Sequence, residues 1–467
     1  MSARGSDLVW LGAGGAAVTL VTLAAVAYPL IAVVIATTIL LLGSLHLMRN
    51  RLAPLAFSPT ALVAVGLYVM GVLGTTLYSS VQNAEAGAGA LVVLDQDQTI
   101  RTFILLGVAA LSLLVGSYVT AAALPRIDIP ASARRITVSG NLRGWMLAGC
   151  AAPLLYLLIA GGSDLWDRPY YIAVAVQDGG LAGIAAQLAI AAPIALGYLL
   201  FASGRGASLL SAILLLGYIV LFFGGGSRKL AMLPILIMVG VFVAKRTKGA
   251  AIALLASAIL SLYLIRLPLY LRALPEHGVI PYLNHLPGFL DYGVGWDSIA
   301  LNVLVSFGII GATAYQQPAI DPSVFWISVN PAPGTLAGWY DQAESLRINV
   351  YTPYAGVGEL GNYGMGYVVS YFLVAGCLLA LLDRTVIRLM VRGHGVMSLA
   401  LVAMAGLFLL YSVQYNLRSS SRMLIYGVIL AVAISFLSGY MMRKRSPHVY
   451  AQPAWVKSEA GRARLLK

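Results

Sequence analysis

Read from its first residue, the chain alternates long apolar runs with short breaks made of Gly, Pro or charge. The runs fall at about 8–27, 29–48, 59–80, 100–123, 144–160, 181–202, 208–223, 230–244, 250–266, 364–382, 396–413 and 423–440. Most approach the roughly 20 residues that carry a helix across a bilayer. The two-residue alternation of a barrel strand is missing. Hydrocarbon offers the backbone no water to bond, so a spanning segment must pair its own N–H and C=O groups, and such runs predict helices. Pro29 separates the first two runs. The pattern predicts an all-α polytopic integral membrane protein of about twelve spans, one membrane domain over 1–467 with a basic tail at 441–467.

Composition agrees: 60% of residues are hydrophobic and 10% charged, where a soluble chain carries about a quarter charged. Charge then orients the array. With a cytoplasmic N-terminus, Arg49/Arg51, Arg126/Arg134/Arg135/Arg143, Arg205, Lys245/Arg246/Lys248, Arg384/Arg388/Arg392 and the tail from Arg443 all lie inside. The cytoplasmic segments hold 21 of the 30 Lys and Arg and 4 of the 17 acids. This is the positive-inside asymmetry, and it predicts both termini in the cytoplasm. It also accounts for the net charge of +13 through orientation and anionic-lipid contact, without nucleic acid as a partner. Cys150 and Cys377 sit inside apolar runs and read as core residues.

The longest segment between spans, 266–362, falls outside, between the ninth and tenth spans, and is rich in Pro, Gly, Asn, Gln, Tyr and Trp. A loop of this length in a compact domain commonly carries function. Within it, 299–314 is apolar but short, and a full crossing would put Arg384, Arg388 and Arg392 outside. It is therefore expected to be an interfacial or re-entrant helix. A second outer loop, 161–180, offers Trp166, Tyr170 and Tyr171, which read as interface anchors or as a platform for saccharide. Asp95-Gln96-Asp97 reads as an ordinary acidic loop before a helix start at Thr99 rather than as a metal motif.

Candidate chemistry lies in the cations that orientation does not explain: Arg101, Arg168, Arg228, Lys229, Arg266, Arg272, Arg347, Arg418 and Arg422. FFGGGSRK (222–229) and YNLRSSSR (415–422) each precede an outward-facing helix start, where unpaired N–H groups and the helix dipole favour an anion. Ser420 or Ser421 is the expected cap of the second. Arginine matches phosphate oxygens two at a time, which suits a pyrophosphate. Arg228, Lys229, Arg418 and Arg422 lead that set, followed by Arg266 and Arg272. His277 and His285, then Glu359, are the candidate general bases. No zinc-ligand spacing surrounds the histidines, and neither metal nor cofactor is expected.

FFGGGSRK at a helix start, together with VNPAPG and YTPYAGVGELGNYGMGYVVSYFLVAGCLLALLDR in a chain of about twelve spans with a large outer loop, resembles the bacterial oligosaccharide repeat-unit polymerases, the Wzy-type or O-antigen polymerases. The resemblance covers the C-terminal half and extends to the rest by hydropathy. It implies a metal-independent multi-span (GT-C-like) glycosyltransferase at the outer leaflet of a bacterial cytoplasmic membrane. The implied substrates are undecaprenyl-pyrophosphate-linked oligosaccharides, and a chain-length regulator protein is an implied partner. An outer-leaflet ligase moving finished glycan to a lipid or protein, and a transporter of lipid-linked saccharides, remain alternatives. A transporter is expected to bury charge at mid-membrane and to contain broken helices.

Overall fold

The computed structural model describes residues 29–48, 58–81, 93–125, 140–170, 181–202, 204–245, 247–289, 296–332, 336–343, 355–392 and 394–445, with a few isolated positions between them. Among them the chain is all-helical. Eleven helices match eleven of the apolar runs: α1 (Pro29–Met48), α2 (Pro59–Val81), α3 (Gln96–Ala123), α4 (Gly140–Gly161), α5 (Leu181–Ala202), α6 (Arg205–Gly224), α7 (Lys229–Lys245), α8 (Lys248–Leu264), and later α15 (Met365–Val391), α16 (Gly395–Gln414) and α17 (Leu417–Arg445). The run at 8–27 lies outside the described residues. Among the described residues, eight helices are long and apolar enough to cross a membrane. This is a polytopic membrane protein.

Between α8 and α15 the chain forms six shorter or irregular helices: α9 (Arg266–Arg272), α10 (Val279–His285), α11 (Trp296–Tyr315), α12 (Ser323–Val329), α13 (Trp339–Ala343) and α14 (Gly356–Tyr363). Local chemistry sets several boundaries. Proline opens α1 and α2, where a missing N–H costs nothing. Asp95 caps α3 in a reciprocal box with Gln98, and Asp97 pairs with Arg101 at 2.8 Å. The helix therefore starts at Gln96, three residues before the expected Thr99, with Asp95 as its cap. Thr247 caps α8. Gly364, at φ +114°, breaks α14 from α15, a conformation that favours glycine.

Two close crossings hold the bundle. At one, a Cβ added to Gly116 of α3 would strike the Leu373 carbonyl of α15, and one added to Gly376 would strike that of Leu113. Ser117 Oγ donates to Gly376 O at 2.8 Å across the same crossing. At the other, Gly197 of α5 meets the backbone at Ile237 of α7, and Gly240 meets that at Ile194. Small residues let backbones approach where lipid supplies no hydrophobic drive between helices. One apolar core joins α1–α3, α11 and α14–α17, and a second joins α4–α7. Tyr198, Leu199 and Val243, near the ends of α5 and α7, belong to the first core and tie the two together.

α3 and α15 run parallel: Gly116 lies beside Leu373, and further along Arg384 Nη1 donates to Pro125 O at 2.9 Å. This gives the bundle a Glu359 end and an Arg384 end. Five long helices, α4 to α8, separate the pair in sequence. The C-terminal end of α11 lies at the Glu359 end, since Tyr315 Oη donates to Arg101 O near the start of α3, where Gly361 meets Leu105. α11 packs into the bundle. Leu304, Phe307 and Ile310 are core residues, with Phe307 against Gly74 and Gly308 against Tyr78 of α2. The helix is longer than the apolar segment expected at 299–314, because it also takes in Trp296 and the polar Asp297 and Ser298.

Candidate functional site

The sequence-predicted cations fall into two groups by what they touch. The first surrounds the glycine turn between α6 and α7. Arg168 Nη1 donates to Asp164 O at 2.7 Å and to Gly224 O at 3.0 Å, and Arg272 Nε donates to Gly226 O at 3.1 Å. Residues 168 and 277 exchange both backbone hydrogen bonds, at 2.8 and 2.9 Å. The turn spends its own amides: those of Gly225, Gly226, Ser227, Leu230 and Ala231 reach backbone carbonyls, and that of Lys229 reaches Ser227 Oγ. Lys229 Nζ reaches Ala186 O at 3.3 Å and lies near the Phe222 ring. Arg228 is exposed. Arg266 lies against the rings of Tyr263 and Phe289. The glycines thus bring two arginines onto backbone carbonyls, rather than turning amides outward.

His277 is 5% exposed, and its Nδ1 lies 2.9 Å from Tyr282 Oη. Burial, and then the nearby Arg168 charge, hold its pKa below the ordinary histidine value. The ring is therefore neutral at pH 7, as a base must be, but enclosed. His285 is exposed at the end of α10. Trp166 and Tyr170 are both exposed, Tyr170 Oη donating to Asp164 at 3.3 Å. Tyr171 and Arg347 lie outside the described residues.

The second group is built around α14. Glu359 is fully buried. Its carboxylate accepts from Ser328 Oγ at 2.5 Å, Leu417 N at 3.0 Å and Tyr363 Oη at 3.4 Å. Burial raises its pKa, and these three donors oppose the rise. Since Leu417 opens α17, Glu359 caps that helix from a distance in sequence. Asn416 Oδ1 adds a local cap on Ser419 N at 2.8 Å. Ser420 and Ser421, expected as caps, instead reach Leu417 O and Tyr371 Oη, because the helix starts earlier than expected.

The two arginines of α17 clamp the loop after α12. Arg418, 2% exposed, donates to Ile327 O at 2.7 Å and to Ala332 O, and lies 5.6 Å from the Trp339 ring. Arg422 Nη2 donates to Ala332 O at 2.7 Å, while its Nε is buried with no partner among the described residues. Beside this clamp stand rings that the sequence reading missed. Phe325 contacts Trp326, Tyr363 and Tyr367 at 5.2, 5.9 and 5.0 Å, and Tyr363 and Tyr367 lie 5.4 Å apart. Trp326 is 72% exposed. The available signal was Tyr363 and Tyr367 four apart across Gly364, with Phe325-Trp326 at the head of ISVNPAPG.

The Glu359 end therefore offers a buried carboxylate, a half-buried guanidinium and an open aromatic face. Comparison with known protein families, curated proteins and solved structures finds no match for the chain.

Proposed function

We propose that this chain is a glycosyltransferase that polymerises undecaprenyl-pyrophosphate-linked oligosaccharide units, with its Glu359 end at the outer face of a bacterial cytoplasmic membrane. The observation that carries this reading is the α17 start, where Arg418 and Arg422 stand beside the Trp326–Phe325–Tyr363–Tyr367 rings. The reaction needs cations at a departing pyrophosphate and a surface for sugar. An acceptor hydroxyl attacks the donor's anomeric carbon, the carbon–oxygen bond to pyrophosphate breaks, and undecaprenyl pyrophosphate leaves with the bonding pair. The hydroxyl proton passes to a base. Arg422, half-buried and donating through one N–H to Ala332 O, is the cation assigned to the pyrophosphate, and the buried Arg418 fixes the loop that presents the rings. Of the two histidines, His285 is the open one. Glu359 is enclosed and organises the site by holding α17 in place.

Transport of a lipid-linked saccharide is the second reading, favoured by the break at Gly364 and by buried carboxylates. Both carboxylates are, however, committed to backbone amides: Glu359 at Leu417, and Asp383 at Ala53 and Thr60. A fixed structural use favours an enzyme built on a rigid frame. A deletion strain separates the readings through its surface polysaccharide. Single repeat units on the final acceptor indicate lost polymerisation. Polymer retained on carrier lipid points to a ligase, and accumulation inside the cell to a transporter.

A further inference from the structure

A groove of about 390 Å³ lies between α15 and α17 at the Arg384 end, away from the site described above. Its walls include Leu381, Val428, Val432 and Phe436, and its rim carries Arg384 and Arg388. We propose that this groove holds one anionic phospholipid, with the phosphate on the two guanidiniums and an acyl chain along the apolar wall.

Charge and exposure together argue for this occupant. Arg384 and Arg388 are four apart on one helix, where like charges repel. No described acid lies in ion-pair range of either. The adjacent carboxylate, Asp383, is buried among the amides of Ala53 and Thr60. Arg384 uses one N–H on Pro125 O, and its planar group keeps others for phosphate oxygens. Phe436 is 76% exposed, Val432 49% and Leu381 41%, so the wall below the arginines is open to a chain. A zwitterionic lipid would bring its own cation to the same rim, and a soluble anion would leave the apolar wall bare. Basic pockets between spans are characteristic sites for anionic headgroups.

The test is native mass spectrometry of the purified full chain in detergent, titrated with dioleoyl-phosphatidylglycerol or dioleoyl-phosphatidylcholine. Three variants accompany the wild type. Arg384→Gln/Arg388→Gln removes the headgroup contacts. Val432→Trp, at an exposed position, fills the groove without changing charge. Arg392→Gln removes a charge outside it. The expected result is one tightly retained phosphatidylglycerol on wild type and Arg392→Gln, with retention at least 10-fold weaker for both groove variants. Phosphatidylcholine should show no such saturable binding. Unaltered retention in Val432→Trp, or equal weakening in Arg392→Gln, would reduce the effect to general charge attraction and overturn the proposal. Equal binding of the two lipids would overturn it as well. Thermal unfolding without added lipid shows whether each variant is folded, and Val432→Trp keeps the question open to decision if the double variant is not.

Discussion

At the scale of single residues, long-range bonds to backbone decide what each charged group does. Arg418 had the look of a ligand-binding cation, yet carbonyls of Ile327 and Ala332 surround it. Breaking such contacts leaves buried polar groups orphaned, at about 1–3 kcal/mol each. His277 gives a prediction with a sign. Its folded pKa is lowered by burial and by Arg168, so the folded state resists a proton that the unfolded chain accepts. Stability contributed by the neutral ring is whole above the ordinary value of 6.5 and is lost as pH falls below it. Unfolding temperature in detergent should therefore drop more between pH 7 and 5.5 for wild type than for His277→Gln. Parallel curves would mean that the ring titrates as freely folded as unfolded.

At the scale of elements, the sequence carried the spans because bilayer thickness imposes a run length that any reader can see. Caps between neighbours, as at Asp95 and Gln98, leave a spacing that a sequence can carry, although this helix starts three residues before the expected Thr99. Caps are hidden where the acceptor comes from another helix. Glu359 caps α17, and Asp383 holds the amides of Ala53 and, at the start of α2, of Thr60; amide and carbonyl partners leave no mark in a sequence. α11 was read short for a related reason, since its packing on Gly74 and Tyr78 overrides a polar start. The crossing of α3 and α15 supplies a direct test. Gly376→Ala places a Cβ against the Leu113 carbonyl, and overpacking of this kind costs about 1–3 kcal/mol. Gly366→Ala on the same helix meets nothing within 4 Å. Thermal unfolding should show a clear loss for the first and no loss for the second; equal behaviour would mean that the crossing is looser than described.

At the scale of the molecule, the charge asymmetry predicts an arrangement in which α3 and α15 run the same way, and the two helices do lie parallel. Single cysteines introduced at exposed Asn284, Thr247 and His394 should label from outside intact cells only at 284. Labelling at 247 without permeabilisation would invert the chain and place the α6–α7 turn inside. Much of the architecture could be read from the sequence. The site could be read only as a set of residue types, because the grouping of Arg422 with Trp326 and Tyr363 depends on where α12 and α14 dock. That grouping carries the functional claim, and one measurement bears on it most directly. Purified chain in liposomes, given a lipid-linked repeat unit, should yield a ladder of polymer. Arg422→Gln should remove it by about 10²–10³-fold in rate, and Arg422→Lys should lose much of it, since lysine keeps the charge without the fork of donors. Expression and unfolding temperature should stay near wild type. A full ladder from both variants, or none from the folded wild type, would contradict the account.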